Sequence, residues 1–209
     1  MKKLINYLYE PLKKNKNIVT FELIIFIIGL IFGSFFITII SKNDKSILIN
    51  QITSYFSSIK NLSKSVYGIF AFKDLCANNL FQILLIFILG ISMIGLIAII
   101  FILFFKGFTL GVTLSSMFLK YKLKGVIYMI IYIIPNIIYI LVYLFISFYA
   151  IKAALKFIKS LIKKENLKFK TFFGKYLLSF IVSTIIIILV SLIESYLLPY
   201  IMKFFIKII

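Results

Sequence analysis

The side chains in this sequence that could do chemistry are few. They are six carboxylates (Glu10, Glu22, Asp44, Asp74, Glu165 and Glu194), 24 lysines, one thiol at Cys76, and the hydroxyls of Ser, Thr and 13 tyrosines. There is no His, Arg or Trp, which removes imidazole bases and ligands and the guanidinium forks that clamp phosphate. A single thiol can close neither an internal disulfide nor a cysteine-rich metal site. The acids are scattered along the chain, so the sequence predicts no catalytic constellation, no cofactor and no metal, and it points away from an enzyme.

Two of the acids stand inside apolar stretches, where a carboxylate is expensive and is therefore a candidate for function. Glu194 is expected near the outer end of the last stretch. There it could accept hydrogen bonds from Ser or Tyr, pair with a snorkelling Lys, contact a partner or substrate, or relay protons. Glu22 is expected at the inner interface, near the start of its helix, where the helix dipole favours a negative charge. Placed at opposite faces of the membrane, the two cannot share a proton as a catalytic dyad. The Gly107 to Gly111 segment is no phosphate loop, since Phe108 and Leu110 are apolar and Lys106 precedes the glycines. Its glycines suit close helix contact. Pro135-Asn136 lies near the middle of an apolar run, where proline removes a hydrogen bond and should kink the helix. Such a kink could also open backbone carbonyls to an ion or substrate.

The elements that must hold these residues follow from composition. With 63% apolar residues and 14% charged, the chain cannot be wrapped in water as a globule. It reads as a membrane protein, and its net charge of +18 suits orientation in a bilayer and contact with anionic lipid head groups, with no nucleic acid involved. The expected fold is all-α: a polytopic helix bundle forming a single membrane domain, with about five transmembrane helices. The spans are placed at 21–40, 80–105, 107–124, 126–151 and 176–201, with Lys106-Gly107 as the turn between the second and third. A spanning helix needs about 20 apolar residues. Gly29 and Gly33 form a small-xxx-small pair in the first helix, and the long uncleaved apolar stretch there does not read as a signal peptide.

Residues 41–79 form a long outer loop of ordinary soluble character. Leu48, Ile52, Tyr55, Ile59, Leu62, Val66 and Ile69 recur at spacings of four and three, predicting an amphipathic helix from about Ile47 to Phe70. That helix lies on the bilayer or on the protein's own spans, or it docks another protein. Residues 152–175 carry eight lysines against Glu165, with Lys152, Lys156, Lys159 and Lys163 on one helical face, and read as an interfacial cytoplasmic loop. Lys-rich segments stay inside. The lysine-rich N-terminus and this loop therefore need an even number of crossings between them, and four fit. The N-terminus is then cytoplasmic and the C-terminus extracytoplasmic, unless 107–124 is only re-entrant.

Specific residues then carry a resemblance. Leu89-Gly90-Ile91-Ser92 with Gly95, Lys106-Gly107-Phe108-Thr109-Leu110-Gly111, Lys124-Gly125, Pro135-Asn136, and Glu194-Ser195-Tyr196 with Pro199, Met202 and Lys203 resemble the stage II sporulation protein M family of endospore-forming bacteria. Length and layout agree over essentially the whole chain. Family members are expected to carry another polar residue between the proline and the asparagine, which are adjacent here. The resemblance implies a non-catalytic scaffold in the cell membrane at the sporulation septum. It would help to assemble peptidoglycan hydrolases, stage II sporulation proteins D and P, during septal thinning and engulfment. On that expectation Ile52, Tyr55, Ile59 and Leu62 would recruit a hydrolase, with Glu194 and Tyr196 securing the last span nearby. Gly107, Gly111, Pro135, Asn136 and Pro199 would be structural. The alternative is a small permease subunit of an ABC-type transporter, served by a separate ATPase.

Overall fold

The computed structural model describes residues 2–92, 94–163 and 169–208. Among the described residues all regular structure is helical: α1 (Lys2–Lys14), α2 (Lys16–Ile39), α3 (Lys42–Lys60), α4 (Ile69–Leu89), α5 (Gly95–Lys163), α6 (Phe169–Tyr196) and α7 (Leu198–Ile208). Five stretches are long and apolar enough to cross a membrane: Lys16–Ile39, Ile69–Leu89, the two limbs of α5 at Gly95–Leu123 and Gly125–Ser160, and Phe173–Phe204. The chain is an all-α, multi-pass membrane bundle. In hydrocarbon every backbone polar group must be satisfied within its own helix, and unbroken Ile, Leu and Phe give those helices no reason to end. Their outward residues, such as Phe32, Phe35, Phe81, Ile97, Phe101 and Leu189, are more than half exposed. An apolar belt of that extent suits a lipid surrounding.

The tightest packing joins α2 to the first limb of α5, which run parallel. Gly29 and Gly33 stand on the backbone of Phe104 and Phe108, while Gly107 and Gly111 stand on that of Phe26 and Leu30. The absent side chains let the two backbones touch, as small residues do in membranes. The second limb of α5 forms the centre of the main core, where Tyr143, Ile146 and Tyr149 meet Ile83, Ile99 and Ile187. α1 is fastened to the same limb, because the Tyr149 hydroxyl donates to the Leu8 carbonyl at 2.7 Å.

Several boundaries differ from the sequence expectation. The turn between the second and third spans is not at Lys106-Gly107, which lie well inside α5, but at residues 90–94. There the Ser92 hydroxyl accepts from the Gly95 amide at 2.9 Å and caps the new helix. The spans are therefore Ile69–Leu89 and Gly95–Leu123, not 80–105 and 107–124. Lys106 has no need to reach water, since its ammonium lies 4.4 Å from the centre of the Tyr143 ring inside the bundle. The amphipathic helix stops at Lys60 rather than Phe70, beyond which Leu62 adopts φ 47° and Gly68 φ 88°. The segment between the first two spans accordingly ends near residue 68. α3 begins at a cap foreseen by no periodicity: Ser41 accepts from the Asp44 amide at 3.2 Å and bonds its carboxylate at 2.7 Å.

Pro135 lies inside the second limb of α5. The non-helical position inside α5 is Lys122, with φ 52° and ψ −133°, where the chain reverses between its two limbs. Pro135 keeps helical angles, since the helix need only forgo one hydrogen bond there. The lysine-rich segment is no separate interfacial helix up to Lys163, because α5 simply continues through it. Glu165, with Lys164 and Lys168, lies outside the described residues.

Candidate functional site

A cavity of about 200 Å³ lies at mid-height in the bundle. Asn79 stands midway along α4, and Thr109 midway along the first limb of α5. The cavity opens between these two, the second limb of α5 and α6. Charge enters from two helices: Lys106 from the first limb and Glu194 from α6. Asn136, Tyr139 and Tyr143 line it from the second limb, and Thr109 and Thr113 from the first.

The hydrogen bonds fix these groups, and Tyr139 reaches the Glu194 carboxylate as well. The Tyr143 hydroxyl donates to Asn79 Oδ1 at 2.7 Å, while the Asn79 amide nitrogen donates to the Leu75 carbonyl at 2.8 Å. The Tyr139 and Ser191 hydroxyls pair at 3.0 Å. Thr109, Thr113 and Asn136 each donate to a carbonyl of the preceding helical turn, and Thr113 and Asn136 also hydrogen-bond the Tyr132 side chain. Against that ordered wall, Glu194 Oε2 is buried without a hydrogen-bond partner. Lys106 makes no ion pair within 4.0 Å, the ion pair found among the described residues being Lys14 to Glu10. One cation and one carboxylate thus line the same small space without touching.

Glu194 lies two residues before the end of α6, next to Ser195, whose carbonyl meets the Gly68 amide at the start of α4, and from there it also walls the cavity. α6 and α7 continue the apolar stretch past it to Phe204. Tyr55 of α3 stands over this end of the bundle. Burial, reinforced by the Glu194 carboxylate, pushes its phenol well above the usual tyrosine range, so it remains a neutral hydroxyl. Glu22 is displaced from expectation. It is fully buried with neither oxygen partnered, instead of resting at a wet helix end.

The other sequence-selected residues fall into two groups. Ile52 and Ile59 are buried with Phe56 against Met117, Tyr128, Ile131, Leu198 and Met202, and Tyr55 packs on that cluster. The apolar stripe of α3 is therefore covered by the protein's own α5 and α7. It is not an open docking surface, which corrects the expectation placed on Ile52, Tyr55, Ile59 and Leu62. Leu62 is half-buried at the end of α3. Tyr196 is exposed and joins a clasp. The Tyr67 ring packs on those of Tyr196 and Tyr200, the Tyr200 hydroxyl bonds that of Tyr67 at 3.2 Å, and the Gly68 amide donates to the Ser195 carbonyl at 3.2 Å. Pro199 is buried beside this clasp. Cys76, taken from the sequence as part of the outer loop, lies within the spanning helix α4.

Sequence reasoning missed Lys106, Asn79, Tyr139 and Tyr143 as a group. One signal was present: a lysine in the middle of a 40-residue apolar run is costly and commonly functional. The sequence admitted a turn as a competing explanation for it.

Residues 22–199 match the family model described as stage II sporulation protein M. No curated protein and no solved structure matches the chain.

Proposed function

Given that the chain belongs to the stage II sporulation protein M family, we propose that this sporulation-related membrane protein is a non-enzymatic scaffold. It recruits and assembles septal peptidoglycan hydrolases, stage II sporulation proteins D and P, during septal thinning and engulfment. Its N-terminus is cytoplasmic and its C-terminus extracytoplasmic, which places α3 on the side where the wall lies. The observation that carries this reading is the outer face of α3. Docked on the spans by its apolar stripe, the helix leaves Asn50, Gln51, Ser54 and Ser57 exposed, with Asn61 exposed at its C-cap, a polar surface facing away from the spans.

The test is a detergent pull-down from sporulating cells with Gln51→Arg, Ser54→Arg and Ser57→Arg combined. These positions are exposed, so the protein should remain in the membrane while recovery of the hydrolases falls about tenfold. Undiminished recovery at normal abundance removes α3 as the recruiting surface. A second reading, a small permease subunit of an ABC-type transporter, is favoured by the polar cavity at mid-height. Co-purification of an ATPase in place of wall hydrolases would select it.

A further inference from the structure

We propose that the cavity between Lys106 and Glu194 is a binding site for a small zwitterion: a primary ammonium and an anionic oxygen group on one short skeleton, as in an α-amino acid or an aminoethyl phosphate. This goes beyond the scaffold role and does not depend on it.

The geometry selects the ligand by exclusion. A lone anion attracted to Lys106 would meet the Glu194 carboxylate in the same small space, and a lone cation attracted to Glu194 would meet the lysine. At low effective dielectric such a like-charge encounter is severe. The two residues do not neutralise each other by contact, since no nitrogen to oxygen approach within 4.0 Å joins them. A molecule carrying both charges satisfies both residues and adds no net charge to the interior of the membrane. The partners for each end are already in place. Lys106 holds its ammonium over the Tyr143 ring, ready for an oxyanion, and Glu194 Oε2 lacks any donor, ready for an ammonium. Thr109 donates elsewhere and keeps an acceptor oxygen for a remaining ammonium proton.

Size points the same way. A cavity of about 200 Å³ holds about six waters at roughly 30 Å³ each, hence a solute of about six to eight heavy atoms. A second cavity of about 300 Å³ shares Lys106 and Thr109 and is otherwise lined by Gln82, Leu85, Phe101, Ile102 and Phe105. Phe101 and Phe105 are more than half exposed on the lipid side. The zwitterion can therefore be a free solute, or the head group of a lipid whose chains leave through this side.

The chain carries its own reporter: 13 tyrosines and no tryptophan, with Tyr132, Tyr139 and Tyr143 on the cavity wall. Purified full-length protein in phosphatidylglycerol nanodiscs is titrated with alanine and with O-phosphoethanolamine, and tyrosine emission is followed. Acetate and ethylamine, each carrying one of the two charges, serve as controls. A parallel preparation contains phosphatidylethanolamine. A saturable change with a free zwitterion, at least tenfold tighter than with either control, supports a soluble ligand. A change that appears only with phosphatidylethanolamine, and not with phosphatidylcholine, supports the head group. Lys106→Met and Glu194→Gln should each weaken binding at least tenfold while keeping the helical circular dichroism. The wild-type selectivity decides the matter even if a variant fails to fold. Acetate or ethylamine binding as tightly as the zwitterions overturns the proposal, as does the absence of a saturable change with free or lipid-borne zwitterions. Unaltered binding by both folded variants does so too. Hydrolase recovery is measured separately, so loss of one result leaves the other standing.

Discussion

Replacing Gly111 by Ala tests whether backbone contact between α2 and α5 holds the bundle together. A Cβ at this position would collide with the Leu30 carbonyl oxygen and lie 2.9 Å from the Ser34 amide nitrogen and 3.1 Å from the Leu30 carbonyl carbon, where ordinary contact begins near 3.4 Å. Every obstructing atom is backbone, so no rotamer change relieves it, and the helices must separate by on the order of 1 Å. A gap of that size forfeits about a quarter to a half of each dispersion contact along the seam. Overpacking of this kind costs about 1–3 kcal/mol, and the upper end applies because nothing flexible can yield. Ala returns up to about 1 kcal/mol of helix propensity. The net expectation is a loss of about 2 kcal/mol, or about a 30-fold fall in the folded to unfolded ratio. Gly174→Ala is the matched control. It lies in α6 with nothing within 4 Å of the added atom, so only the propensity gain remains and the protein should be stabilised by about 0.5–1 kcal/mol. Reversible unfolding in mixed micelles, followed by helical circular dichroism, measures both. If Gly111→Ala proves neutral or stabilising like Gly174→Ala, the seam does not depend on backbone contact and the reasoning fails. The double variant Gly107→Ala with Gly111→Ala should cost less than twice the single, because one separation relieves both clashes.

Tyr143→Phe removes the donor to Asn79 Oδ1 and leaves a buried acceptor unpaired, so it should cost about 1–3 kcal/mol in the same unfolding assay; adding Asn79→Leu should recover part of that loss, and no recovery would show that the pair is not coupled. Ile52→Ser with Ile59→Ser should now damage the fold, reducing abundance and thermal stability, because these side chains fill the cluster with Met117 and Met202; normal stability would argue that α3 detaches from the spans. For topology, Cys76 is unsuited to an aqueous probe because it lies in α4, so Ser65→Cys in a Cys76→Ser background should react with an impermeant maleimide on intact protoplasts, and reaction only after lysis would reverse the assigned orientation. Replacing Lys152, Lys156, Lys159 and Lys163 with Gln, each worth roughly 1 kcal/mol of attraction to anionic lipid, should weaken the orientation of the last two spans, read as partial internalisation of a C-terminal reporter.

Much of this protein is settled by amino-acid type alone. Apolar runs of spanning length, lysine in place of arginine, and the lack of imidazole together determine a membrane bundle with few chemical groups. The glycine spacings at 29, 33, 107 and 111 mark where helices can touch, because only a missing side chain permits backbone contact. The sequence could not choose where a long apolar run turns. From Leu80 to Leu119 many windows of about 20 residues span a bilayer almost equally well on hydropathy, so the only charge looked like the turn. Packing decided otherwise: with Gly107 and Gly111 seated on α2, Lys106 is carried into the bundle, and the turn moves to residues 90–94, where Ser92 caps the next helix. The amphipathic stripe of α3 was equally legible, but its covering was not. Periodicity marks a face that must be buried, whereas its partner, here α5 and α7, lies more than 50 residues away in the chain. The cavity is the clearest case. Asn79, Lys106, Tyr143 and Glu194 come from α4, both limbs of α5 and α6, and no local pattern links them. Only the fold brings a lysine and a glutamate to one small space and keeps them from touching.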